Sequence, residues 1–115
     1  MEILIKGQTY KLDITGTVGL TMTANAIVPE EERTVTDEKG KAYPTRKYQY
    51  ALLYATLLQA NPGIIDKVSF MDFLDSLQLS QEPALTEWFW KRYEEVEAPF
   101  KEPGAAPESE QKKSV

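Results

Sequence analysis

Residues 46–61 read RKYQYALLYATLLQAN, and their reading decides the fold. Two cations open the stretch, Asn61-Pro62-Gly63 closes it, and no charged residue occurs from Tyr48 to Ile65. Asparagine, proline and glycine in that order terminate a helix. Gln49, Gln59 and Asn61-Pro62-Gly63 break up the apolar run, leaving it the length of a buried helix and too short for a membrane span. A helix that is apolar on most sides lies at the centre of its domain. The rest of the chain must therefore supply the layers that cover residues 46–61.

On the N-terminal side, Ile3 and Ile5 alternate with Glu2 and Lys6, and Tyr10, Leu12 and Ile14 alternate with Lys11 and Asp13. This period of two predicts a β-hairpin over residues 2–14, with Gly7 supplying the positive φ that a tight turn needs. Both apolar sets share one face, and an isolated hairpin is barely stable in water, so another element must cover them. Residues 15–28 (TGTVGLTMTANAIV) fit two periods. Val18, Leu20, Met22 and Ala24 alternate as a strand would, whereas Val18, Met22 and Ala26 fall at helical spacing. We read a short helix entered near Thr17. Residues 29–45 are charged and carry few apolar side chains, which predicts a solvated and mobile loop holding a small ribbon across Asp37-Glu38-Lys39-Gly40.

On the C-terminal side, Ser69 and Asp72 have the spacing of a capping box, and Phe70, Phe73, Leu74 and Leu77 form the apolar stripe of the helix it starts. A further helix runs from about Pro83 to about Val96 and is stopped by Ala98-Pro99. Residues 98–115 contain three of the seven prolines and one aromatic, Phe100, and read as a disordered tail. The expected architecture is α+β: one domain over residues 1–97, with a small N-terminal antiparallel sheet packed against three to four helices.

Composition narrows the chemistry. The 115 residues include no histidine and no cysteine, which removes imidazole acid–base catalysis, thiolate nucleophiles and the common transition-metal sites. Eighteen acidic against 13 basic side chains give a net charge of −5, which opposes binding to nucleic acid. The three lysines and three glutamates of residues 98–115 cancel, so the acidity belongs to residues 1–97. Glu30-Glu31-Glu32 form a solvated acidic run, since consecutive carboxylates rarely converge on one ion. Asp72 and Asp75 are explained by helix capping and the helix dipole. Ser69, Ser76 and Ser80 have no activating base, and Gly16 and Gly19 are too sparse to cradle a phosphate. Arg46, Lys47, Tyr48 and Tyr50, with Lys91, Arg92 and Tyr93, interleave cations and aromatics as single-strand binders do, but the surrounding charge has the wrong sign. No catalytic residue, cofactor or metal is expected, nor is a nucleic-acid or membrane partner. The opening MEILIKG has no apolar region of signal-peptide length, and a cytoplasmic location is expected.

The last helix is more informative. At 100° per residue, Leu85, Trp88, Phe89, Tyr93 and Val96 share one broad arc, and Arg92, inside that arc, must extend outward to water. Trp90 falls on the opposite side among Thr86, Glu94 and Glu97. Two readings follow: Trp90 is an interface anchor, since tryptophan is enriched at binding hot spots, or Pro99 and Phe100 fold back over it.

The order of these motifs resembles a known family. The hairpin Ile-x-Ile-Lys-Gly-Gln-Thr-Tyr-x-Leu is followed by the uncharged Tyr50-Ala51-Leu52-Leu53-Tyr54-Ala55. The capped Val68-Ser69-Phe70-Met71-Asp72-Phe73-Leu74 comes next, and Glu87-Trp88-Phe89-Trp90 closes the set. Over residues 2–97 this is similar to the small tail assembly chaperones of long-tailed bacteriophages and prophages. The charged residues 29–45 and the Gly/Thr-rich residues 15–28 depart from that family's pattern. The resemblance implies a non-enzymatic α+β protein of the host cytoplasm that holds the helical tape measure protein until tail tube subunits polymerise around it. It also implies self-association into a homo-oligomer, and a longer product made by frameshifting, here near Lys112-Lys113. A second function of a different class fits the acidity: a small regulatory or inhibitory binding protein of phage or mobile-element origin, occupying a basic surface.

Overall fold

The structure, a computed structural model, describes residues 1–100. Strands β1 (Glu2–Ile5) and β2 (Gln8–Lys11) pair antiparallel, with Ile3 opposite Tyr10 and Ile5 opposite Gln8. The two-residue turn puts Lys6 at φ 50° and Gly7 at φ 81°, the mirror-image turn whose twist matches that of the strands. Glycine adopts that φ without steric cost, and Lys6 is tethered there by an ion pair to Asp72, 3.1 Å away. Ile3, Ile5, Leu12 and Ile14 are buried, so the shared face lies inward as the alternation requires.

The ambiguous segment is helical: α1 spans Thr17–Ile27, with Leu20 and Ala24 buried. Neither end is capped by its own neighbours. At the start, the Gln59 Oε1 accepts from the Thr15 and Gly16 N–H groups at 2.7 and 3.4 Å, while its Nε2 donates to the Gly16 carbonyl at 2.9 Å. At the far end, the Arg33 guanidinium donates to the carbonyls of Val28 (2.8 Å) and Asn25 (3.0 Å), the groups a helix terminus leaves without partners.

The charged connection holds more structure than a solvated loop. A 3₁₀ turn at Glu30–Glu32 leads into β3 (Thr34–Thr36), which pairs antiparallel with β4 (Ala42–Pro44) in a second sheet separate from the first. The expected ribbon turns across Asp37–Gly40, where the Asp37 carboxylate accepts from the N–H groups of Lys39 and Lys41 at 2.9 Å. The ribbon stands away from the core, with every residue of β3 exposed.

Thr45 caps α2 (Arg46–Ala60) by accepting from the Tyr48 N–H at 3.2 Å. Residues 51–57 of α2 are all buried, and α1 packs along this helix. Past Asn61, Gly63 takes a left-handed φ of 86° that ends the element. Helix α3 (Phe70–Asp75) has the predicted capping box: the Ser69 Oγ accepts from the Asp72 N–H and an Asp72 carboxylate oxygen accepts from the Ser69 N–H, both at 3.0 Å. The helix is only 6 residues long, so Leu77 of the expected stripe lies beyond its end, though still packed on the core. Helix α4 spans Glu82–Glu97, and Ala98–Phe100 continue it as a 3₁₀ turn. The tail expected from residue 98 therefore starts with ordered residues, and the remainder, 101–115 with Lys112-Lys113, lies outside the described residues. One apolar core joins both hairpin strands to all four helices, which makes the fold α+β as expected.

Because Gln59 makes three hydrogen bonds across 43 or 44 residues of chain, it is the largest single polar tie between α1 and α2. Gln59→Ala should destabilise the domain by about 1–3 kcal/mol in urea unfolding, since it leaves part-buried backbone groups without partners. An exposed glutamine, Gln78 aside from its turn contact, offers no such tie, and a loss under a few tenths of that value at Gln59 would refute the tether.

Candidate protein-binding surface

Within α4, Leu85 and Phe89 are fully buried and Trp88, Tyr93 and Val96 pack partly on the core, the arc expected from helical spacing. Arg92 extends to the surface as expected, its side chain 36% exposed, and there it pairs with Asp13, just past β2, with Nε 2.8 Å from the carboxylate, while its Nη1 lies 3.3 Å from Glu95. Burial pushes the Asp13 carboxyl up, but hydrogen bonds from Arg92 and the Ile14 N–H outweigh it and hold the group below the ordinary carboxylate range.

Trp90 is 40% exposed on the opposite side of α4. Pro99 and Phe100, the residues expected to cover it in the alternative reading, are themselves exposed, Phe100 to 81%. The indole is held by its own helix: Phe89 meets it edge-on at 4.9 Å between centroids, and Tyr93 lies at 5.8 Å. Tyr93 in turn lines a groove of about 270 Å³ with Thr17, Val18, Thr21 and Met22 of α1. Val18 and Met22 are 72% and 66% exposed, one helical turn apart on the face of α1 that turns away from Leu20 and Ala24. Trp90, Tyr93, Met22 and Val18 thus form an apolar strip across two helices. At the mouth of the groove the Thr17 hydroxyl donates to the Glu97 carboxylate at 2.6 Å, tying the start of α1 to the end of α4. Sequence spacing identified Trp90 but not Val18 and Met22, because the segment that carries them fits a strand as well as a helix.

A second cavity, of about 330 Å³, lies between the start of α2 and α4 and holds Arg46, Tyr50 and Glu82. The Glu82 carboxylate accepts from the Tyr50 hydroxyl and from Arg46 Nε, the latter at 2.8 Å. The Tyr50 hydrogen bond, then that of Arg46, holds Glu82 below its ordinary range, while burial raises Tyr50. Both shifts run away from neutrality, the reverse of what proton transfer at neutral pH requires. A neighbouring cavity of about 410 Å³ shares Arg46 and Tyr50 and has a floor of Phe70, Leu74 and Leu77.

Of the remaining candidates, Glu32 of the acidic run pairs with Lys47 at 2.6 Å, and Asp72 is bound to Ser69 and Lys6. Among the described residues no three acidic side chains lie close enough together to hold a metal ion, and no helix is long and apolar enough to cross a membrane. Comparison with protein-family models, curated proteins and solved structures finds no match. The functional reading therefore rests on the chemistry of the exposed strip.

Two measurements test this description. Trp90→Ala should cost only about 1 kcal/mol in chemical denaturation, against about 3–5 kcal/mol for Phe89→Ala, since only the second empties a core site. The Asp13–Arg92 pair makes stability fall on acidification. The folded-state value of Asp13 lies below the unfolded one, so its contribution is complete above about pH 5 and drains as the pH drops past about 4. Asp13→Asn should flatten that part of the stability–pH curve, and an unchanged slope would remove the ion pair from the account.

Proposed function

We propose that this chain is a non-enzymatic protein-binding domain that holds a helical client reversibly during assembly. The observation that carries the reading is the apolar strip of Val18, Met22, Tyr93 and Trp90, which the fold leaves exposed across two helices. Isolated exposed apolar residues are ordinary, but a contiguous strip with a half-exposed tryptophan at one end is the anatomy of a docking surface. At about 270 Å³ the groove lies below the range of small-molecule pockets, roughly 300–1,000 Å³, and suits inserted side chains better than a whole ligand.

The resemblance to tail assembly chaperones names the client and setting most concretely: the tape measure protein of a long-tailed phage, held in the host cytoplasm until tube subunits displace this chain. Release follows if the contact is shallow, because a polymerising competitor with a larger interface wins by mass action.

Co-expression with the tape measure protein of the same tail gene cluster should yield a complex that co-purifies. Val18→Ser with Met22→Ser and Trp90→Ala should weaken it by at least about tenfold while leaving the circular dichroism spectrum unchanged. Recovery of the chain alone at low salt, with the client soluble, would overturn the chaperone reading. Capture instead on a basic enzyme, independent of Trp90 and abolished by Glu30→Gln with Glu31→Gln, would establish the acidic inhibitor in its place.

A further inference from the structure

The second sheet has an open edge. In the ribbon the Thr45 N–H donates to the Arg33 carbonyl and the Asp37 N–H to the Lys41 carbonyl, both at 2.9 Å. An antiparallel ladder bonds at every second residue, so Val35 and Tyr43 form the hydrogen-bonded pair between these two. The backbone N–H and C=O groups of Thr34 and Thr36 therefore point away from β4. Among the described residues these four groups meet no backbone partner, since the sheet ends at β3. Proteins ordinarily blunt such edges with a charge or a proline. The outer edge of β4 has Pro44, which lacks an N–H, and β1 of the first sheet has Glu2. Thr34-Val35-Thr36 has neither: all three residues are β-branched, uncharged and exposed.

We propose that β3 pairs with β3 of a second copy of this chain, antiparallel and about a two-fold axis at Val35, joining two ribbons into one four-stranded sheet. In this register Thr34 lies opposite Thr36 of the second copy, and Thr36 opposite Thr34 of the second copy. All eight open backbone groups then close in four hydrogen bonds, which no other register of so short a strand achieves. Val35 meets Val35 of the second copy as a close, non-hydrogen-bonded pair. Val35 and Tyr43 are 56% and 43% exposed and share one face of the ribbon, so an apolar row of two valines between two tyrosines crosses the new sheet. Just beyond the strand ends, Arg33 comes opposite Asp37 of the second copy, so no like charges oppose. Both are engaged within their own chain, Arg33 with the end of α1 and Asp37 with its turn, and the pairing draws on backbone and apolar contact alone.

The contact is small, so the dimer is expected to be weak. Sedimentation equilibrium of the full chain from about 10 µM to about 1 mM should show a reversible monomer–dimer equilibrium. Thr36→Pro should abolish it, because that position loses an outward N–H and no bond to β4. Position 34 does not serve, since Arg33 lies in the right-handed helical region, which a following proline disfavours. Val35→Lys keeps every backbone group, sets two like charges against each other and should also abolish the dimer, with the circular dichroism spectrum unchanged. The chain has no cysteine, so single cysteines report the register. Under mild oxidation Val35→Cys should form a disulfide-linked dimer at least about tenfold faster than Tyr43→Cys, whose two copies lie three strand spacings apart, about 14 Å. A monomer throughout the concentration range, or equal cross-linking at the two positions, would overturn the proposal. So would a dimer that survives both Thr36→Pro and Val35→Lys, or one that Val18→Ser with Met22→Ser abolishes, which would assign the contact to the strip. Each of the first three results leaves the client-holding reading standing, since β3 takes no part in the strip.

Discussion

The structure depends on the burial of α2. Seven consecutive residues, Ala51 to Leu57, lie inside, which an amphipathic helix on a surface could not achieve. Such a helix is stable only if apolar surface meets it on every side, so the hairpin, α1, α3 and α4 are required as covering layers. Its polar groups then tie those layers down. Tyr48 donates to Asn25 and Gln59 grips the entry to α1, while the Asn61 amide donates to the Lys11 carbonyl at the end of β2. The Thr56 carbonyl accepts from the Asp13 N–H, the Tyr54 hydroxyl donates to the Val68 carbonyl before α3, and Tyr50 reaches Glu82 at the start of α4. Apolar burial supplies the driving force, and these hydrogen bonds fix where each layer sits.

What could be read from the sequence was what is local. The hairpin followed from an alternation over a dozen residues, and the box of Ser69 and Asp72 from two residues three apart. The exposure of Trp90 followed from counting 100° per residue. The devices that were missed join residues far apart: Asp13 with Arg92 across 79 positions, and Gln59 with Gly16 across 43. Nothing in the neighbourhood of Arg92 indicates that a carboxylate from the end of a hairpin will lie beside it, so the spacing gave the outward reach of its side chain but not its partner. The helix at Thr17–Ile27 was read over a competing strand period for a related reason. Its caps come from Gln59 and Arg33, not from its own flanks, and its glycine and threonines weaken helix and strand alike. With the packing of α1 against α4 unknown, the groove beside Tyr93 could not be foreseen.

Apart from Tyr93, which also packs on the core, the residues of the strip are not those that hold the fold. Leu20, Ala24 and Phe89 point inward from the same helices that carry Val18, Met22 and Trp90 outward. The two faces of each helix therefore divide the labour. On the proposed reading this arrangement is preorganised, since the Trp90 ring already packs on Phe89 and Tyr93 and less rotamer freedom would be lost on binding.

The size of the strip bears on how a client could be held. Four side chains on two short stretches of helix cover much less than the roughly 800 Å² per partner of an ordinary stable complex, so on the proposed reading each contact is weak. On the proposed reading, a long helical client is retained because it offers many such sites in succession, each occupied by another copy. Occupancy of the whole client is then persistent while every single contact stays short-lived, the behaviour of multivalent binding. A polymerising competitor needs to displace only one copy at a time, which a single tight interface of the same total strength would not permit. Shallow exposure of Val18, Met22 and Trp90 is in that light a requirement of release, and a deeper groove would hold the client against its own assembly.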